Sequence, residues 1–170
     1  ATQQVVQVQD AYGNVITLSA VSVTASITSD TGTSGATLSG STTVGASSGV
    51  ATFSGLSIDK AGSGYTLTLS SSGLTSAVTS EFSILSASAS ALAFSVQPTG
   101  GTAGDTSALS TTVVITDSLG NTVTDASSDI TLAITSGTGD SSAELLGTAT
   151  VTAVNGVAVF DAVRIETAAS

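Results

Sequence analysis

The chain has 170 residues and a formal net charge of −10, with 60 Ser and Thr residues and no His, Cys, Met or Trp. Twelve acids against Lys60 and Arg164 repel nucleic-acid backbones and anionic membrane surfaces. The missing residue types remove disulfides, thiol chemistry and the base of a Ser–His–Asp triad. Only 8% of the chain is charged, against about 25% in ordinary domains, and its apolar residues are mainly Val, Ala, Leu and Ile. Val, Ile and Thr are stiff at χ1 and fit a pleated surface, whereas charged helix formers are nearly lacking, so the composition predicts an all-β chain. Every apolar run is shorter than the ~18 residues a membrane-spanning helix needs, and no membrane insertion is expected.

Residues 4–10 alternate as a half-buried strand and stop at Asp10-Ala11-Tyr12-Gly13-Asn14, a turn in which Asp bonds backbone amides and Gly supplies positive φ. Val15–Leu18 is expected to return as its partner strand. A further strand is predicted over 21–27, a polar loop over 28–35, and short strands over 36–39 and 41–46. Ser47-Ser48-Gly49 turns the chain into a strand at 50–53. Apolar Leu56 and Ile58 then fall out of step with Phe53, which predicts a bulge near Ser54-Gly55. Asp59–Gly64 is a loop, Tyr65–Leu69 an alternating strand, and 78–84 a last strand. The segment 85–90 is small and uncharged and reads as a linker. Residues 91–97 open a new strand that Pro98 ends, followed by a loop over 99–105.

From 108 onward the chain retraces itself. Asp10, Gly13 and Asn14 match Asp117, Gly120 and Asn121, an offset of 117 − 10 = 107 residues. Comparing 1–63 with 108–170 at this offset gives 26 identities in 63 pairs with no insertion. Strands separated by turns every 8–12 residues or so, repeated once, predict two β-sandwich modules in series. Module one, 1–84, has no counterpart of Leu92–Asp105 and lacks a first strand. Module two, 91–170, has no counterpart of Tyr65–Ile84 and lacks its last two strands. Two explanations follow. Either these residues are a segment of a longer repeat protein, which repeat arrays favour, or subunits complete one another by strand addition.

The chemistry-bearing residues are sparse. Asp10 and Asp117 read as turn formers. Asp105, Asp125, Asp129 and Asp140 crowd the second module's loops and are candidates for a calcium site, although no dense Asp-x-Asp spacing accompanies them. Lys60 sits in a polar loop and reads as a solvated residue. No catalytic or cofactor-binding constellation is present, so no enzymatic activity is expected, and the few aromatic residues fall at strand positions rather than on a sugar-stacking platform.

The order Val-x-Asp-x-x-Gly-Asn, Gly-Val-Ala-x-Phe, Ala-Gly-x-Gly-Tyr-Thr-Leu-Thr resembles the bacterial immunoglobulin-like repeats of invasin- and intimin-type adhesins and related giant surface proteins. The resemblance covers nearly the whole chain. The Pro that often follows Gly-Asn in such repeats is Val15 in one copy and Thr122 in the other. It implies a non-enzymatic extracellular stalk or fibre of a bacterial surface protein, the alternative being a filament subunit completed by strand exchange. The partners implied are neighbouring copies of the same repeat, with host or cell-surface ligands reached through regions outside these residues. Tyr65, after a glycine-containing corner and two residues before Leu67, stands where immunoglobulin-like folds carry their tyrosine corner.

Overall fold

The structure is a computed structural model and describes residues 4–100 and 109–167. It is all-β, with no helix among the described residues, and its strands form several small sheets. Internal contacts divide the chain into two compact units, Ala1–Leu85 and Ser86–Ser170.

The first unit contains β1 (Val5–Gln7), β2 (Ser22–Ile27), β3 (Leu38–Ser39), β4 (Thr43–Gly45), β5 (Val50–Thr52), β6 (Ser57–Ile58), β7 (Gly62–Tyr65), β8 (Leu67–Ser70), β9 (Ala77–Val78) and β10 (Phe82–Ile84). One sheet runs β4-β2-β8-β9, and three strand pairs, β1-β5, β3-β6 and β10-β7, complete the unit. Its core gathers Val8, Val23, Ala25, Ala46, Ala51, Phe53 and Leu69. Along β2 the alternation of Val23 and Ala25 with Ser and Thr puts the apolar side chains inward and the hydroxyls in solvent.

The second unit contains β11 (Ala91–Val96), β12 (Leu109–Thr116), β13 (Asp129–Thr131), β14 (Ala143–Gly147), β15 (Thr150–Thr152) and β16 (Val157–Thr167). Its sheets are β11-β12-β16-β14 and β13-β15. Val113, Ile115, Val123, Ile130, Ala153, Ala158, Phe160 and Val163 form its core.

The duplication extends to individual backbone pairs. Val6 faces Ala51 on β1-β5, and Val113 faces Ala158 on β12-β16. Val23 faces Val44, as Ile130 faces Val151; Leu38 faces Ile58, as Leu145 faces Ile165. Each pair is its counterpart displaced by 107 residues. The turns agree as well. Ser48 and Gly49 have φ of 51° and 77°, and Asn155 and Gly156 have 51° and 74°. Two successive positive φ values match a type I′ turn, whose twist suits the strands it joins. A Cβ on Gly49 would lie 2.5 Å from the Ile16 carbonyl oxygen and one on Gly156 2.3 Å from that of Val123, so both positions require glycine.

Three local readings change. Val15–Leu18 is not a strand: Val15 makes a single bridge to Gln9, and the Ser19 N–H then closes a turn onto Ile16. The segment 78–84 is two strands, β9 on β8 and β10 on β7, because the chain carrying Tyr65 and Leu67 is itself divided between two sheets. Within 85–90, read as a linker, the Ser90 N–H donates to the Thr116 carbonyl at 2.7 Å. The expected slip after Phe53 is seen in both units. Gly55 takes φ 65° between β5 and β6, and β16 carries an extra residue between Phe160 and Val163 against Thr111 and Leu109.

Phe53 and Phe160, each 1% exposed, are the largest apolar side chains common to the two cores. Phe160→Ala is expected to cost about 3–5 kcal/mol. In hydrogen exchange it should accelerate opening across 109–163 while leaving 22–70 at the parent rate, and Phe53→Ala should do the reverse.

Candidate functional site

The duplicated turn is the most site-like constellation in the sequence, and its geometry is that of a closed hydrogen-bond cage. Asp10 Oδ1 accepts from the backbone N–H groups of Tyr12 and Asn14, both at 2.9 Å, and Asp10 Oδ2 accepts from Asn14 Nδ2 at 3.0 Å. The Gly13 N–H donates back to the Asp10 carbonyl. Asp117 repeats this with Leu119 and Asn121, at 2.9, 2.9 and 3.0 Å. Gly13 and Gly120 carry φ of 85° and 83°, which the turn requires.

The two copies differ in their surroundings. Asp10 is exposed, whereas Asp117 is buried at 3% exposure. The Ala87 N–H donates to Asp117 Oδ2 at 3.0 Å, so this carboxylate also fastens the segment that leads into β11. Hydrogen bonds from Asn121, then from Ala87, hold the Asp117 carboxyl at about 2, below its ordinary 3.8, and the Asn14 side chain lowers Asp10 in the same direction. The anchoring role of Asp117 is not legible in the turn motif, because it depends on a small residue 30 positions upstream.

Tyr65 is fully buried, and its hydroxyl donates to the Lys60 carbonyl at 2.9 Å. The ring stacks on Phe82 with centroids 6.0 Å apart. Gly32 lies against the ring: a Cβ there would come within 2.2 Å of Tyr65 Cδ1 and Cε1. Thr33 Oγ1 donates to Ala61 O at 2.7 Å, the Gly32 N–H donates to Gly64 O at 3.2 Å, and Lys60 Nζ donates to Ser34 O at 3.1 Å. Loop 28–35 is thus laced onto 59–66 around one tyrosine. Gly32 was not singled out by sequence reasoning, although the glycine-rich loop preceding the strand signals a place of close approach.

Of the calcium candidates, Asp105 lies outside the described residues. Asp129 Oδ1 accepts from Thr152 Oγ1, Asp140 Oδ1 accepts from the N–H and hydroxyl of Ser142 at 2.8 and 2.6 Å, and Asp125 is exposed. The Ser142 bonds lower the Asp140 carboxyl. Among the described residues no three acidic side chains come together in a group that could hold a metal. What the turns and the Tyr65 cluster do chemically is fix backbone conformation. No family model, curated protein or solved structure matches the chain.

Two outcomes test these assignments. A folded-state value of about 2 against 3.8 means that Asp117 contributes stability that is complete above pH 4 and lost as pH falls towards 2. Urea midpoints measured from pH 6 to pH 2 should therefore fall less steeply for Asp117→Asn than for the parent; equal slopes would contradict the assignment. Tyr65→Phe removes one hydrogen bond and should cost about 1 kcal/mol. Gly32→Ala drives a methyl into the ring at φ 66° and should cost at least about 2 kcal/mol, so calorimetry should rank Gly32→Ala well below Tyr65→Phe.

Proposed function

We propose that the chain is a segment of an extracellular structural or adhesive protein of a bacterial surface, built from tandem immunoglobulin-like β-sandwiches and acting as a stalk or fibre without catalysis. The observation that carries this reading is the pair-for-pair agreement of the two units at an offset of 107 residues. Superposing the equivalent strands gives one frame. The second unit contributes the sheet β11-β12-β16-β14, and the first contributes β4-β2-β8-β9. In immunoglobulin lettering these orders are A-B-E-D and C′-C-F-G, the two layers of such a sandwich. The buried Tyr65 hydroxyl bonded back to Lys60 has the form of the corner residue of that fold.

The physical role follows from the same frame. A stalk needs modules that resist extension, and strand ladders closed over a Val/Phe core supply that resistance. It also needs a surface that stays in solution, and a charge of −10 on a Ser/Thr-rich exterior keeps copies from associating indiscriminately. The partners are neighbouring repeats, and a receptor would be met elsewhere.

Single-molecule pulling on the 170-residue chain held between inert handles tests this role. Two separate rupture events are expected, each releasing on the order of 250 Å of extended chain. Smooth extension without rupture would overturn the load-bearing reading. Ordered fibres of the purified chain in electron micrographs would favour the filament subunit instead.

A further inference from the structure

The two units fold to the same register but do not contain the same strands, and the difference is written in their strand lengths. In the first unit β2 runs for six residues, Ser22–Ile27. Its first half pairs with β4 and its second half with β8, where Ala25 faces Leu69 and Ile27 faces Leu67. The counterpart of Ala25–Ile27 is Leu132-Ala133-Ile134. There β13 stops at Thr131, and no strand of the described residues pairs with 132–134. Ile134 and the following Thr135-Ser136 are identical to Ile27-Thr28-Ser29, so the local sequence is not what ends the strand.

Two further features mark the same place. Gly139 is the counterpart of Gly32 and holds a similar φ, 68° against 66°; Gly32 lies against the Tyr65 ring, whereas a Cβ on Gly139 would meet nothing within 4 Å. On β11, Leu92 and Phe94 face the buried Ile115 and Val113 across the ladder, and so share the core side of the sheet. They are nonetheless 59% and 47% exposed. A row of large apolar side chains on a core-facing sheet surface lacks its cover.

We infer that the edge of the second unit at Leu132–Ile134, with the space above Gly139 and the Leu92/Phe94 row, is an acceptor site for a β-hairpin of the Tyr65–Ile84 type supplied by another repeat of this kind. The occupant is identified by the first unit, where such a hairpin is seated on the equivalent strand. Leu67 and Leu69 are there 4% and 6% exposed, and Tyr65 covers Gly32. The incoming strand adds to the edge by main-chain hydrogen bonds, in the register that places its two leucines opposite Ile134 and Leu132. Exchange among copies of residues 4–167 cannot fill the site. Each copy holds two frames but one hairpin of this type, so a swap moves the uncovered face from one unit to another.

The inference rests on the sandwich frame proposed above, and not on the stalk role. Its test adds a synthetic peptide of residues 62–85 to the 170-residue chain, and separately extends the chain by joining residues 64–85 directly after Ser170, which keeps the 107-residue register. A one-to-one complex is expected, with amide exchange at 132–134 and 92–96 slowed at least about tenfold in both experiments. A peptide carrying Leu67→Asp and Leu69→Asp should bind at least about tenfold more weakly. No slowing at 132–134 in either the complex or the extended chain would overturn the inference. Displacement of the chain's own 62–85 by the peptide, with 132–134 unchanged, would also overturn it. Pulling data without rupture would remove the stalk and leave the acceptor site standing.

Discussion

The constraint on which both units depend is the close backbone approach at Gly49 and Gly156. Each glycine donates its N–H to a loop carbonyl, Ser19 or Ala126, while its own carbonyl accepts from Val8 or Ile115. Its α-carbon presses on a third segment, where any side chain would strike a carbonyl oxygen. One residue thereby joins the strand before the Asp-Gly-Asn turn, the loop after it and the strand that follows. Once these three segments are fixed, Val50 and Val157 can enter the ladder at only one place, opposite Gln7 and Val114. Phe53 and Phe160 reach their cores because that register is set. A slip of one residue would turn both rings outward.

The polar inventory works to the same end. The carboxylates of Asp10 and Asp117 are spent on amides within four residues or on the incoming chain at Ala87. Thr24 and Thr43 share a hydroxyl hydrogen bond at 3.0 Å, and Thr131 and Thr150 share one at 2.9 Å, across equivalent rungs. Cross-strand threonine pairs of this sort each add a few tenths of a kcal/mol and tolerate solvent well. A chain so poor in charge is therefore held together by short neutral hydrogen bonds and small apolar side chains. The groups that elsewhere build reactive centres here shape backbone.

Much of this was legible in the sequence because its signals are local. The turn residues, the alternation along 21–27 and the slip after Phe53 are properties of a few neighbouring positions, and each repeats at the offset of 107. What escaped depends on distant partners. Val15–Leu18 has the composition of a strand but finds a ladder partner for only one residue. Tyr65 and Leu67 read as one alternating strand, yet they serve different sheets, since β7 pairs with β10 and β8 with β2. The burial of Asp117 needs Ala87, and the need for Gly32 comes from a ring 33 positions further on. The acidic residues Asp125, Asp129 and Asp140 are near in sequence, but backbone direction rather than spacing decides whether carboxylates meet, and these do not gather.

The uninterrupted offset has a consequence for how such a chain changes over generations. Because every ladder pair recurs at one fixed separation, a gene region encoding it can gain or lose whole periods by recombination between copies without disturbing any register. The crossover point need not fall between folded units. A break inside the Asp-Gly-Asn turn of one copy, rejoined inside that of the next, still delivers each strand to its partner. Length is then a heritable variable that is uncoupled from folding, and selection can adjust reach by counting periods while the core residues stay as they are.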